Sequence, residues 1–215
     1  MNRIRRIHDL LLWTYGPQGW WPVGGTYFPS RVDPFEITVG AVLTQNVSWS
    51  NAARALEALR ERGWLEPRRM IRVGAERLAP IIRSSGYYNQ KAGRLIEICR
   101  FHLDLMERDA PPTRDELLKI RGIGPETADS ILLYAYGKPL FVIDAYTKRL
   151  CTRTGMAPEH AAYHDLQQLF MNNLPPDSEL FSEYHALIVR HAKESCRKKP
   201  LCEHCSLRRG GLCSF

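Results

Sequence analysis

Four of the chain's six cysteines stand in its last 20 residues, as Cys196-x5-Cys202-x2-Cys205-x7-Cys213. That segment carries few apolar side chains, chiefly Leu201, Leu207, Leu212 and Phe215, too few to hold it by burial alone. It folds if its thiols are cross-linked or gathered on a metal. Three chemistries compete: two disulfides, a four-thiolate zinc site with Cys-x2-Cys as a half-site, and an iron–sulfur cube, which needs four converging thiolates. Disulfides require an oxidising compartment, and the N-terminus argues against export. Arg3, Arg5 and Arg6 are followed by His8 and Asp9, and the apolar run 10–13 is too short for a signal-peptide core. No stretch of 18 apolar residues is present, so no segment reads as a membrane-spanning helix. The expectation is a cytoplasmic protein without a membrane partner. Cys99 fits an apolar helical stripe and Cys151 lies near the end of a helix; both read as buried thiols rather than ligands. The seven histidines form no metal-binding pair and receive no role.

The apolar spacing is helical along most of the chain, with no period-two strand, internal repeat or low-complexity linker. Asp33-Pro34 reads as an N-cap and first helical residue, followed by Phe35, Val39, Val42 and Leu43 on one face. Ala53, Leu56 and Leu59 continue on a second helix that Gly63 ends. Ala92, Leu95, Ile96, Cys99, Leu103 and Met106 form a long stripe. Leu117, Leu118 and Ile120 lie on a short helix, and Pro125 opens another that turns Ala128, Ile131, Leu132 and Ala135 inward. Further helices are predicted near 145–152, 162–173 and 178–195. Residues 16–34 form a Pro/Gly-rich loop with Trp20, Trp21, Tyr27 and Phe28. The composition, 44% hydrophobic and 25% charged, is globular and excludes disordered, collagenous and coiled-coil chains. The net charge of +7 is compatible with a polyanionic partner without requiring one.

Between the short helix and Pro125 lies Gly122-Ile123-Gly124. Two glycines allow a tight bend and close backbone approach, and the start of the next helix suits a phosphate; taken alone the motif reads first as a plain helix–helix turn, and its context favours the phosphate. An apolar run, 140–143, then leads to Asp144, which also reads as an N-cap.

Gly-Ile-Gly-Pro-Glu-Thr-Ala-Asp at 122–129, followed by Phe-Val-Ile-Asp at 141–144, resembles the helix-hairpin-helix plus Gly/Pro–Asp signature of base-excision DNA glycosylases of the endonuclease III superfamily. Residues 40–46, Gly-Ala-Val-Leu-Thr-Gln-Asn, resemble the segment that presents a duplex-inserting Gln, here Gln45. Residues 85–92, Ser-Gly-Tyr-Tyr-Asn-Gln-Lys-Ala, resemble a further segment of the superfamily. The likeness extends over roughly 33–215. It implies Asp144 as the catalytic carboxylate, stabilising positive charge on the deoxyribose and orienting water. Gly122, Ile123 and Gly124 become DNA-binding residues. Bifunctional members carry a Schiff-base lysine in the hairpin helix; Glu126 stands there, which implies a monofunctional enzyme without lyase activity. Glu126 itself reads either as a first-turn acid favoured by the helix dipole or as a base contact.

At motif level the 3-methyladenine DNA glycosylase III branch is most similar, sharing these segments, the Glu, and a Trp-Trp-Pro element matched by Trp20-Trp21-Pro22. Trp20, Trp21 and Glu126 are then the substrate pocket, because cationic methylated purines stack on electron-rich indoles. Trp20 and Trp21 read alternatively as packing between lobes. The cysteine tail departs from that branch and resembles the endonuclease III tail, its first gap one residue shorter and its last two longer. The resemblance implies a [4Fe–4S] cluster on Cys196, Cys202, Cys205 and Cys213. Arg197, Lys198 and Lys199, between the first two ligands, become either a phosphate clamp or a solvated charge run.

The expectation is an all-α fold with two helical lobes and a cleft: a barrel at 31–140 ending in the hairpin, and residues 1–30 with 141–215 carrying the cluster. The partner is double-stranded DNA containing a damaged base, met by a monomer in a prokaryotic, nucleoid-associated setting. The substrate is an alkylated purine such as 3-methyladenine. The alternatives are oxidised pyrimidines or mismatched bases, and a non-catalytic iron–sulfur DNA-binding module.

Overall fold

A computed structural model of the chain describes residues 2–20, 33–213 and 215. Trp21, with Tyr27 and Phe28 of the predicted loop, lies outside the described residues. In chain order the helices are α1 (Arg3–Tyr15), α2 (Pro34–Thr44), α3 (Trp49–Glu61), α4 (Pro67–Val73), α5 (Ala75–Ile81), α6 (Tyr88–Arg108), α7 (Arg114–Lys119), α8 (Pro125–Tyr136), α9 (Ala145–Arg153), α10 (Tyr163–Met171), α11 (Ser178–Glu194) and α12 (Ser206–Arg209). Short 3-10 turns cover Arg83–Ser85 and Cys202–His204. The described residues contain no strand, in agreement with the all-α reading. The chain divides into two compact units, Ser30–Tyr136, and Met1–Pro29 with Gly137–Phe215.

In the unit Ser30–Tyr136, α2 is the central element. Residues 35 and 37–43 are all buried, which suits a helix apolar on every side, and α2 packs on α3, α6 and α8. Its start follows the sequence logic: Asp33 caps it by accepting the Phe35 N–H at 2.9 Å, with Pro34 in the first turn. α3 buries Ala52, Ala55, Leu56 and Leu59, so its inward face is set one position away from Ala53. α4 and α5 are not foreseen by the sequence reading. Each has only seven residues, too short to display a period, and they are separated by Gly74 at φ 80.

α6 corrects the predicted stripe. Ala92, Leu95, Ile96 and Cys99 are buried, but Met106 is 65% exposed, while Ile98 and Leu105 are buried instead. The helix packs on α2, α4 and α5, so its buried face is broader than one stripe and shifts along its length.

The other unit is built on an aromatic cluster. Phe141 stacks on Phe170 at 4.0 Å between centroids and meets Phe181 and Tyr184 edge-on at 5.4 and 5.6 Å. α1, not foreseen as a helix, buries Ile4, Ile7, His8 and Leu11 and packs on α11 and α12. The Tyr184 hydroxyl donates to the Ile4 carbonyl at 2.8 Å. Cys99 and Cys151 are fully buried; burial pushes both thiols up to about 12, so they remain protonated and inert.

Candidate active site and nucleic-acid interface

Residues 137–144 connect two helices without strand pairing, so their buried backbone needs other partners. Gln167 donates to the Phe141 carbonyl at 2.9 Å, and the Ile143 N–H reaches the Tyr163 hydroxyl at 3.5 Å. Phe141, Val142 and Ile143 are almost wholly buried. This rigid lead-in delivers Asp144 to the start of α9. There Asp144 is the N-cap, its Oδ1 accepting the Thr147 N–H at 2.7 Å. Its Oδ2 lies 3.4 Å from His185 Nε2, with the two side chains 14% and 8% exposed. Burial alone would raise the carboxyl pKa, but neighbouring His185 and the Thr147 N–H outweigh it and hold Asp144 below its ordinary value. A carboxylate ionised in a shielded site can stabilise a developing cation.

His185 was missed by the sequence reading. A signal existed: it falls in register with Phe181 and Ile188, both fully buried on α11, and a histidine in such a row requires a polar partner.

The hairpin is built in the unit Ser30–Tyr136. α7 starts with a capping box between Thr113 and Glu116. The chain turns through Ile120, whose carbonyl accepts the Ile123 N–H at 3.0 Å, and Gly122 at φ 84 supplies the left-handed residue. Ile123 is buried, while Arg121, Gly122, Pro125 and Glu126 are exposed. Arg114 on α7 pairs with fully buried Asp129 on α8 at 2.6 Å, pinning the two helices together. Glu126 places a carboxylate in the first turn of α8.

The structure brings Gln45 onto this hairpin. Its amide donates to the Gly122 carbonyl at 3.1 Å and the Thr127 hydroxyl at 2.8 Å, and its carbonyl accepts from the Arg94 guanidinium. Lys91, 2% exposed, fixes the same loop from beneath by donating to the carbonyls of Leu43, Gln45 and Ser85 at 2.8, 2.8 and 2.6 Å. Burial and neighbouring Arg94 lower its pKa to about 8.

In the unit with Gly137–Phe215, Cys196, Cys202, Cys205 and Cys213 all line one small pocket, together with Leu150, Arg153, His191, Leu207, Arg208 and Phe215. All four are free thiols. Among the described residues no group of three His, Cys, Asp or Glu side chains forms a metal site. The donor chemistry nonetheless fits an iron–sulfur group: four cysteines line one pocket with Leu150 and Leu207, and cationic Arg153, also in its lining, lies 3.3 Å from Cys196 Sγ. Arg153 also donates to the carbonyls of Arg197 and Lys198 at 2.6 and 3.0 Å, and Arg149 to that of Cys196 at 2.8 Å. With their backbone so anchored, Arg197, Lys198 and Lys199 are exposed. Trp20 is half-buried, and Trp21 lies outside the described residues.

Residues 39–176 match the family described as HhH-GPD superfamily base excision DNA repair protein. The chain belongs to this superfamily. A relative in Methanocaldococcus jannaschii, provisionally assigned as the DNA repair glycosylase MJ1434, is 43% identical over 95% of this chain and 94% of its own. Endonuclease III of Escherichia coli K12 is 27% identical over 85% of this chain and 84% of its own. Among solved structures, the H. pylori 3-methyladenine DNA glycosylase MagIII, bound to 1,N6-ethenoadenine, superposes with a TM-score of 0.73 at 27% identity, covering 90% of this chain and 98% of that one. An endonuclease III–DNA complex superposes with a TM-score of 0.82 at 24% identity, covering 100% of this chain and 96% of that one. The chain is thus an endonuclease III-like, DNA-binding HhH-GPD glycosylase of base excision repair.

Proposed function

We propose that this HhH-GPD glycosylase is monofunctional and hydrolyses the N-glycosidic bond of an alkylated purine, such as 3-methyladenine, flipped from duplex DNA. The observation that carries the reading is the Asp144 carboxylate, shielded and held ionised at the start of α9. As the C1′–N bond breaks, its electron pair leaves with the base and neutralises the charged ring. The sugar becomes cationic, Asp144 stabilises it, and a water oxygen bonds to C1′ while its proton passes to the Asp144 carboxylate and from there to solvent. A cationic base leaves without acid assistance, which suits a site whose proposed carboxylate stays ionised.

Glu126 at the first turn of α8 supports the absence of lyase chemistry, since a carboxylate cannot form a Schiff base. The alkylated-purine assignment is supported by the half-buried Trp20 and by the likeness to a 3-methyladenine glycosylase that binds an ethenoadenine. Trp20, Trp21 and Glu126 are the residues proposed to contact the base. Gln45 fills the space that the flipped nucleotide leaves. Gly122, Ile123, Gly124, Arg197, Lys198 and Lys199 hold the DNA backbone.

Cys196, Cys202, Cys205 and Cys213 are proposed to hold a [4Fe–4S] cluster. When bound, it gathers a tail too poor in apolar residues to fold alone and stiffens the basic loop. The protein is proposed to act as a monomer on chromosomal DNA in a prokaryotic cytoplasm.

The test is a lesion panel: methylated, thymine-glycol and G:T duplexes, each followed by hot alkali, with borohydride trapping alongside. Release from methylated duplex with strand breaks only after alkali, and no trapped adduct, is expected. Preferred cleavage of thymine glycol, or a covalent adduct, contradicts the assignment. Iron in the purified protein with broad absorbance near roughly 400 nm is expected of the cluster; a colourless zinc protein contradicts it.

A further inference from the structure

We infer that His185 is the positioning residue for the Asp144 carboxylate, facing Oδ2 while the start of α9 holds Oδ1. The inference rests on Asp144 being the reactive carboxylate.

Asp144 is gripped through Oδ1 by the Thr147 N–H at 2.7 Å. A grip on one oxygen ties the side chain to α9 but leaves rotation of the carboxylate plane soft, because a torsion ending on an sp² carbon has broad wells. His185 supplies the second point. It comes from α11, which packs on α9, and its Nε2 lies 3.4 Å from Oδ2. At that separation the contact is electrostatic: the Nε2 edge of the ring faces Oδ2 and directs the carboxylate, the negative charge remaining on Asp144.

His185 is itself held firmly. Phe181 and Ile188, one turn to either side on the same face of α11, are both fully buried, so the imidazole cannot swing away without disturbing packed neighbours. The low exposure of both partners keeps solvent from screening the contact. A purely packing role would be met by any side chain of similar volume. The polar contact with Asp144 distinguishes the two roles, and substitution can separate them.

The experiment compares wild type, His185→Phe, His185→Gln and Asp144→Asn. Single-turnover base release is measured on methylated duplex DNA. Affinity is measured on a duplex carrying a tetrahydrofuran abasic analogue, and melting temperature on each protein. His185→Phe is expected to lower release at least about tenfold with DNA affinity unchanged. His185→Gln, which retains an N–H donor, recovers most of the rate. Wild-type release by His185→Phe overturns the inference, as do equal losses in Phe and Gln that follow melting temperature. Full release by Asp144→Asn overturns instead the reading of Asp144. Loss in Asp144→Asn beside normal His185→Phe removes only the role of His185.

Discussion

The Arg94 guanidinium donates to the side-chain carbonyl of Gln45 and, through Nε, to the Arg121 carbonyl at 3.3 Å. With the Gly122 and Thr127 contacts, the Gln45 amide is satisfied on both its nitrogen and its oxygen in the free protein. A residue proposed to enter a duplex is therefore docked on its own hairpin and must leave it to do so. Each bond released costs about 1 kcal/mol net, an amount that duplex contacts can offset. Arg94→Ala is expected to speed amide hydrogen exchange in residues 44–47 while changing global stability by no more than about 1 kcal/mol. Gln45→Ala should lower base release while leaving the fold unchanged. Exchange in 44–47 that is unaltered by Arg94→Ala contradicts the tether.

Lys91 is the anchor beneath that loop. Lys91→Met keeps the aliphatic stem but strips the donor from three carbonyls, two of them in bonds that are fully buried. The expected loss is about 3 kcal/mol of unfolding free energy, read from urea titration. A loss below about 0.5 kcal/mol would mean that water replaces the ammonium without cost.

The exposed loop held by Arg149 and Arg153 makes a salt-dependent claim. Replacing Arg197, Lys198 and Lys199 by Ala should weaken binding evenly across DNA sequences. It should also reduce the slope of log K against log salt by up to about 0.9 for each phosphate contact removed. An unchanged slope marks the three cations as solvated bystanders.

Asp144 also gives a pH prediction. Its folded-state pKa lies below the ordinary value, so the folded protein binds fewer protons there than the unfolded chain. The resulting stabilisation is complete above the unfolded value of about 4 and is lost as pH falls through the folded one. The stability difference between wild type and Asp144→Asn should be flat from pH 7 to about 5 and shrink in stronger acid. A difference that grows on acidification contradicts the sign.

What the sequence reveals depends on how locally each feature is encoded. Asp33-Pro34, Gly122 and the cap at Asp144 are written into a few adjacent residues and appear as read. The stripe on α6 fails at Met106 because neighbours far along the chain decide which face of a long helix is covered. α4 and α5 are too short to show a period. Asp144 is legible from its motif, but its partner His185 lies 41 positions on, and only folding pairs them. Arg94 likewise looks like an ordinary surface arginine until α6 places it against Gln45.

The central claim is that the Asp144 carboxylate drives base release. Single-turnover release from methylated duplex DNA by Asp144→Asn, at enzyme concentrations that bind all the DNA, tests it most directly. Asparagine can keep the cap on α9 through its remaining oxygen while removing the charge and the oxygen that faces His185. The account predicts that release falls by at least about a hundredfold while binding to the abasic analogue is retained. Release within a few fold of wild type would contradict it.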